Sequence, residues 1–373
     1  MVMPAEPAEV ARAASVLEID LGAVADNYRR LQTQAAPAAC GAVVKADAYG
    51  LSAARVVPAL WDAGCQTFFA VQLDEGIALR RILPAAEIIV LNGPVAGAEP
   101  EFLAYSLVPT LNEPGQIARW AALDRPAGTP PARAWLHVDT GMNRLGLATD
   151  QLDLMAGAGG TIAWAGVMSH LVSAEDPDDP LNEEQRNRFV AARARLPAVF
   201  AHLPASLANS SGVFLGPDFH FDLVRPGAAL YGLAPFTHST NPMRQTLRLK
   251  SRILQVRSVD SGATVGYGAT HRFDRPSRVA IVSAGYADGY QRAVGRQRQV
   301  RIGGTPAPVV GRVSMDLITV DVTDLPEAAT PVGAWAELIG PDHTPDALGD
   351  ALGTIGYELL TRLGSRYHRV YLD

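Results

Sequence analysis

The stretch TFFAVQLDEGIALRRILPAAEIIVLNG, residues 67–93, holds one full period of the pattern that decides the fold. An apolar run at 67–72 gives way to 73–83, where Ile77, Leu79 and Ile82 share the segment with Glu75, Arg80 and Arg81. A second apolar run follows at 87–91. Short β-branched and aromatic runs read as strands, and the mixed segment between them reads as an amphipathic helix. Working outward, the same alternation extends from about residue 38 to residue 230. Strands are expected near 41–45, 67–72, 87–91, 107–111, 134–139, 162–169, 205–209 and 223–229, with helical segments between most of them. One such segment, 183–196, begins acidic and ends basic, as a helix dipole favours. Eight strands alternating with helices predict an α/β fold, a (β/α)8 barrel of the TIM type. A doubly wound open sheet shares the local pattern, and the count of eight decides between them.

After about residue 240 the pattern changes. RLKSRILQVRSV, RVAIVSA, APVVGR and LITVDV are strand-like runs between Gly, Asp and Pro turns, and only 345–363 reads as helical. Two domains are therefore expected, a barrel over 16–240 and a mostly β domain over 241–373. The strand-like segment 16–20 precedes the first barrel helix and is a candidate to pair with the β domain.

Composition narrows the function classes. The 373 residues are 48% hydrophobic and 19% charged, which suits globular domains and excludes a disordered or collagen-like chain. Acidic residues exceed basic ones by 38 to 32, so there is no electrostatic draw toward nucleic acid or an anionic membrane. Cys40 and Cys65 form neither a disulfide framework nor a zinc motif and read as small buried hydrophobes. The histidines lack ligand spacing, and no required metal is expected. The N-terminal stretch has no basic region leading into an apolar core, and no run approaches a membrane span. A cytoplasmic protein is the expectation.

In such a barrel the chemistry sits at the C-terminal ends of the strands. Lys45 ends the first expected strand, Arg144 follows the fifth, His170 ends the sixth, Asn209 and Ser210 leave the seventh, and Arg225 lies in the eighth. Lys45 follows an apolar run, and desolvation there would lower its pKa, as an imine-forming lysine requires. NSSG at 209–212 and RPGA at 225–228 offer hydroxyls and small residues on the two loops where barrels commonly hold a phosphate. A phosphate site and an imine-forming lysine on one rim together imply pyridoxal phosphate.

The motifs VVKADAYG (43–50), HVDTGMNRLG (137–146), SHL (169–171), ANSSG (208–212) and RPGAALYG (225–232) occur in that order, followed by VGYGATH (265–271), GYADGY (285–290), GRVSMD (311–316) and IGYE (355–358). In sequence and order they resemble those of the alanine racemases, from about residue 16 to the C-terminus. The resemblance implies a barrel followed by a β domain, pyridoxal phosphate as cofactor, and a head-to-tail homodimer with shared active sites. It implies that Lys45 carries the cofactor as an imine and that Tyr49, Ser210, Gly227, Ala228 and Tyr357 surround the phosphate, with Asn209 close by. Arg225 would face the pyridine nitrogen and Arg144 the phenolic oxygen. A guanidinium cannot take the pyridinium proton, so Arg225 would weaken the electron sink and suppress side reactions.

Racemisation needs a base on each face of the α-carbon. By the resemblance these are Lys45 on the D side and Tyr267, from the partner subunit, on the L side. Met315 and Asp316 would also come from the partner, beside the substrate carboxylate, with Tyr286 and Arg312 near the access corridor. A phenol is protonated at neutral pH, so Tyr267 needs a tuner, and His170, linked to Arg225, is the candidate. One residue departs from the pattern. Many family members carry a carbamylated lysine where this chain has His137, so Arg144 needs another support, such as a bound anion or a nearby acid. The competing readings are a racemase for serine, lysine or a broader range, and a non-catalytic carrier barrel. A decarboxylase of similar barrel is disfavoured because it would pair the pyridine nitrogen with a carboxylate.

Overall fold

A computed structural model of the chain describes residues 8–124, 132–155, 162–237, 239–292 and 299–373. The first seven residues of the N-terminal stretch read above lie outside these. The chain divides into two compact units, Ala23–Arg244 and a second made of residues up to Gly22 together with Gln245–Asp373. The division falls four residues beyond the boundary expected at 240, and it assigns the lead strand to the second unit.

Strand β1 (Ser15–Asp20) belongs to that second unit. In the unit Ala23–Arg244, β2 (Ala39–Cys40) and β3 (Ala42–Val43) are two halves of one strand interrupted at Gly41. They are followed by β4 (Thr67–Ala70), β5 (Glu87–Val90), β6 (Val108–Leu111), β7 (Arg133–His137), β8 (Ala163–Met168), β9 (Ala205–Ser206) and β10 (Leu223–Val224). Strands β3 to β9 lie side by side in chain order, each neighbouring pair parallel. The ring closes through β10, which pairs in parallel with β2. On its other side, the Asp222 and Arg225 N–H groups donate to the Ala205 and Ala208 carbonyls at 3.0 and 2.9 Å. The result is the eight-stranded parallel barrel. Its strands read as unbroken apolar runs because both faces are buried, as in Phe68, Phe69, Ile88, Ile89, Leu136 and Val167.

The helix Leu73–Ile82 sits where the sequence put it, and Leu181–Arg195 starts two residues early. The strand ends differ more. The first strand stops at Val43, so Lys45 lies beyond it and opens a separate turn. Only 205–206 and 223–224 of the last two expected strands pair in register. Pro226 cannot donate to a ladder, and Ala228–Tyr231 turns into a 3-10 helix. The backbone leaves the sheet where the polar residues begin.

The second unit is built on an eight-stranded sheet. Its strands are β1, β11 (Leu247–Val259), β14 (Ser277–Val282), β15 (Gln299–Ile302), β16 (Thr305–Val310), β17 (Ile318–Asp321), β18 (Trp335–Ile339) and β19 (His368–Leu372). A separate antiparallel ladder joins β12 (Thr264–Val265) to β13 (His271–Arg272). Strand β1 pairs antiparallel with β11 and parallel with β19. The segment expected as one helix at 345–363 is two, Pro345–Leu352 and Gly356–Thr361. Gly353 separates them at φ 67°, a left-handed position that stops a helix and suits glycine. Among the described residues, no helix is long and apolar enough to cross a membrane.

Candidate active site

Lys45 is one of only two lysines in the chain, the other being Lys250, whereas 30 of the 32 basic residues are arginines. It begins a turn of unusual hand. Ala46, Asp47, Ala48 and Tyr49 all have φ between 52° and 55°, a left-handed helical turn built without glycine. Such a conformation costs roughly 1–2 kcal/mol per residue, so something must hold it. Ala48 and Gly50 N–H donate to the Val44 and Ala46 carbonyls at 3.0 and 2.8 Å. The Asp47 carboxylate accepts from the Ala53 N–H at 2.7 Å, and Glu75 accepts from the Ala46 N–H at 2.7 Å. Burial and the nearby Arg144 guanidinium push the Lys45 amine down from its ordinary pKa, and Glu75 pulls the other way.

Tyr49, at the end of this turn, is buried and stacks on Tyr231 with ring centroids 4.6 Å apart. The Tyr231 hydroxyl donates to the Val43 carbonyl at 3.0 Å, tying the stack to the strand before Lys45. Opposite, a Cβ on Gly227 would lie 2.4 Å from the Tyr49 hydroxyl oxygen, so only glycine lets the two loops approach. Ser210 Oγ accepts from the Gly227 and Ala229 N–H groups at 2.9 and 3.1 Å, which leaves its own hydrogen to donate elsewhere. The Asn209 Oδ1 accepts from the Gly212 N–H at 2.9 Å within the same loop. Ser210, Gly227, Ala228 and Tyr49 thus gather at the far end of the turn that Lys45 opens.

Arg225 is buried, with one terminal nitrogen donating to Ser206 Oγ and the other to the Ser169 carbonyl at 2.5 Å. Burial pulls its pKa down to about 10, which still leaves it charged at neutral pH. Burial and then the Arg225 charge push His170 well below its ordinary range, with Arg144, His137 and Lys45 adding to the effect. The rim therefore brings Lys45, Arg144 and Arg225 together with two histidines kept neutral.

His137 ends β7. Asn112 Nδ2 donates to the Leu91 and Thr110 carbonyls, both at 3.0 Å, so its Oδ1 must be the acceptor in the 2.7 Å contact with His137 Nδ1. That fixes the proton on Nδ1. Burial and the Arg225 charge bring His137 down to about 4 from an ordinary 6.5. Asp139, the nearest acid on the loop carrying Arg144, is committed to the Gly141, Met142 and Asn143 N–H groups. It supports the loop rather than the guanidinium.

These shifts give a pH prediction with a definite sign. Unfolded, His137 takes a proton below about pH 6.5, whereas folded it resists until about pH 4. Its contribution to stability is present above 6.5 and is lost as the pH falls through that window. The melting temperature of the wild-type chain should fall more steeply between pH 6.5 and 4 than that of His137→Asn. Parallel slopes in differential scanning fluorimetry would count against the buried neutral histidine.

The remaining expected site residues lie on the second unit. Tyr267 heads a short turn and is 69% exposed, and Met315 is 53% exposed. The 312–316 loop organises this surface: Tyr286 and Ala287 N–H donate to the Ser314 and Met315 carbonyls at 3.0 Å. The Arg312 guanidinium lies beside Gly268 in the Tyr267 turn. Asp316 is paired with Arg366 at 2.7 Å, and Arg366 also holds the buried Asp288 at 2.7 Å. Tyr357 is on the helix Gly356–Thr361.

Family models for the alanine racemase N-terminal domain and C-terminal domain match residues 19–235 and 246–371. The chain belongs to the alanine racemase family. An alanine racemase of Rhodospirillum rubrum is 52% identical over 365 residues, covering 96% of each chain. A protein of Mesorhizobium japonicum named as a catabolic alanine racemase is 44% identical, covering 98% of this chain and 95% of its own. Among alanine racemase structures, that from Bartonella henselae, with covalently bound pyridoxal phosphate, superposes with a TM-score of 0.92 at 39% identity, covering 96% of this chain and all of its own.

Sequence reading missed several residues that build the racemase site. Tyr231 lies inside the quoted motif RPGAALYG, so its aromatic character was visible there. Asn112, Ser169 and Ser206 act through contacts distant in sequence and carry no local signal. Glu75 was visible only as a charge on a helix.

Proposed function

We propose that the chain interconverts L- and D-alanine with pyridoxal phosphate as cofactor, using Lys45 and Tyr267 as opposed bases in a homodimer. The observation that carries this reading is Lys45 itself, a half-buried amine with a lowered pKa in a chain that otherwise uses arginine almost throughout. An amine must lose its proton to bond a carbonyl carbon, and a guanidinium cannot do so near neutral pH.

The surroundings fit the cofactor. The spare hydrogen of Ser210, the close approach at Gly227 and the small residue Ala228 suit a phosphate, with Tyr49 beside them. Asn209 steadies that loop through the Gly212 N–H, and Tyr357 joins the phosphate surround only by its match to the family motif IGYE. Arg144 provides a cation for the phenolic oxygen and the substrate carboxylate. Arg225, held by Ser206 and Ser169, presents donors but no acceptor to the pyridine nitrogen. When bound, pyridoxal phosphate withdraws electrons from the substrate's α-carbon and makes its proton removable.

The protein's own groups then do the proton work. Lys45 takes or returns the α-proton on the D side, and the Tyr267 hydroxyl does so on the L side. Two fixed bases exchange the proton across the α-carbon with little movement of the substrate. His170, kept neutral, would accept a hydrogen bond from the phenol and tune it. Met315 and Asp316 of the second subunit line the carboxylate side. The exposure of Tyr267 and Met315 on one protomer is consistent with their serving a partner's barrel. The reaction is assigned to the cytoplasm, where D-alanine would feed peptidoglycan.

Chiral chromatography after incubation with a panel of amino acids tests the substrate. Alanine should be racemised far faster than serine or lysine. Comparable rates across the panel would replace this reading with a broad-specificity racemase, and no racemisation at all would leave only a carrier.

A further inference from the structure

We infer that Glu75 is a positioning residue for Lys45: its carboxylate bridges the helix Leu73–Ile82 to the left-handed turn and fixes the peptide that carries the amine. The inference rests on Lys45 being the cofactor lysine. An acid in the first turn of a helix ordinarily serves that helix alone. Glu75 does this with Oε2, which accepts from the Val71 and Gln72 N–H groups at 2.8 and 3.1 Å. Its other oxygen does something the helix does not require. Oε1 accepts from the Ala46 N–H at 2.7 Å, across 29 residues of sequence.

That N–H belongs to the peptide joining Lys45 to Ala46, so the bond sets the plane from which the lysine side chain departs. It also meets the first of four consecutive left-handed residues. The other ties hold different parts of the turn. Asp47 fastens its exit to Ala53, and the Tyr49–Tyr231 stack fastens its far end. Glu75 bonds the backbone at its start. The carboxylate is also the anion acting on Lys45, against Arg144 on the opposite loop. His170 feels the Lys45 charge in turn, together with those of Arg225, Arg144 and His137, and Asp47 and Tyr49 are the other titratable residues of the turn.

Shortening the side chain by one methylene separates the two jobs. Glu75→Asp keeps a negative charge at the start of the helix but retracts it from Ala46. Asp74→Asn, at the exposed neighbouring position, removes a first-turn charge and leaves the bridge intact. Two readouts apply to the chain before any turnover. One is hydrogen exchange of the Ala46 amide. The other is the rate of pyridoxal phosphate capture by apoprotein, followed by absorbance across pH 6 to 9.

Glu75→Asp should speed Ala46 exchange and lower the capture rate by about tenfold at every pH, the loss expected from one charge-assisted hydrogen bond. Glu75→Gln, which removes the anion, should also shift the rising limb of capture to lower pH. Asp74→Asn should do neither. If Glu75→Asp matches the wild type in exchange and capture, with only a small fall in melting temperature, Glu75 is a helix cap and the inference is wrong. A wild-type chain that captures no cofactor would instead overturn the reading of Lys45.

Discussion

Lys45→Ala should be inactive, with alanine racemisation reduced by about 10⁴-fold or more in both directions. The variant loses a base worth roughly 10² to 10⁴ on its own, together with the covalent anchor of the cofactor. The fold should survive, because the side chain is half-buried and the turn is held through backbone groups, Asp47 and the Tyr49–Tyr231 stack. Circular dichroism and the melting temperature should therefore stay close to wild type while chiral chromatography finds no product. Substantial residual racemisation in a folded Lys45→Ala would remove this residue from the chemistry.

Tyr267→Phe should produce a loss that depends on the face of the substrate. Exchange of the α-hydrogen of L-alanine in heavy water should fall by about 10² to 10⁴-fold, the usual weight of a positioned base. Exchange from D-alanine, served by Lys45, should remain measurable. Racemisation should fail in both directions, because a full turnover needs both faces. The exposure of Tyr267 makes a folding defect a poor rival explanation, since the change removes one hydroxyl from a side chain 69% exposed in the single chain. Equal losses of exchange for the two enantiomers would contradict the two-base assignment.

The architecture was legible because the barrel strands are buried on both faces, so their apolar runs survive as a period in the sequence. The second unit was legible as a change in that period. What failed were the edges. Lys45, Asn209 and Arg225 were each placed on a strand or at its end, yet each lies beyond the residues that form the strand. A strand ends where its backbone groups find partners other than the next strand. Just past these ends the Ala46 N–H bonds the Glu75 carboxylate, the Asn209 carbonyl accepts from the Val213 N–H and the Gly227 N–H bonds Ser210 Oγ, partners that no local pattern announces.

The same reason explains what the motifs left out. Chemistry-bearing residues stood out by place, a lysine closing an apolar run and tyrosines in glycine-rich motifs. Residues that aim them did not. Glu75 looks like any acid at the start of a helix, and Asn112 like any polar residue after a strand. Their roles are distances, 2.7 Å in each case, that exist only once the barrel has closed. The absence of a lysine at position 137 was visible in the sequence. The structure adds that the histidine there is held in one tautomer and kept neutral.

The most direct test is borohydride reduction of the purified chain with pyridoxal phosphate, followed by peptide mapping. With only two lysines the result is close to binary. Lys250 is paired with Glu18 at 2.5 Å on the second unit, and its amine is accounted for there. The account predicts a stable pyridoxyl label on the peptide containing Lys45 and none on that containing Lys250. Label on Lys250, or on neither lysine, would contradict it.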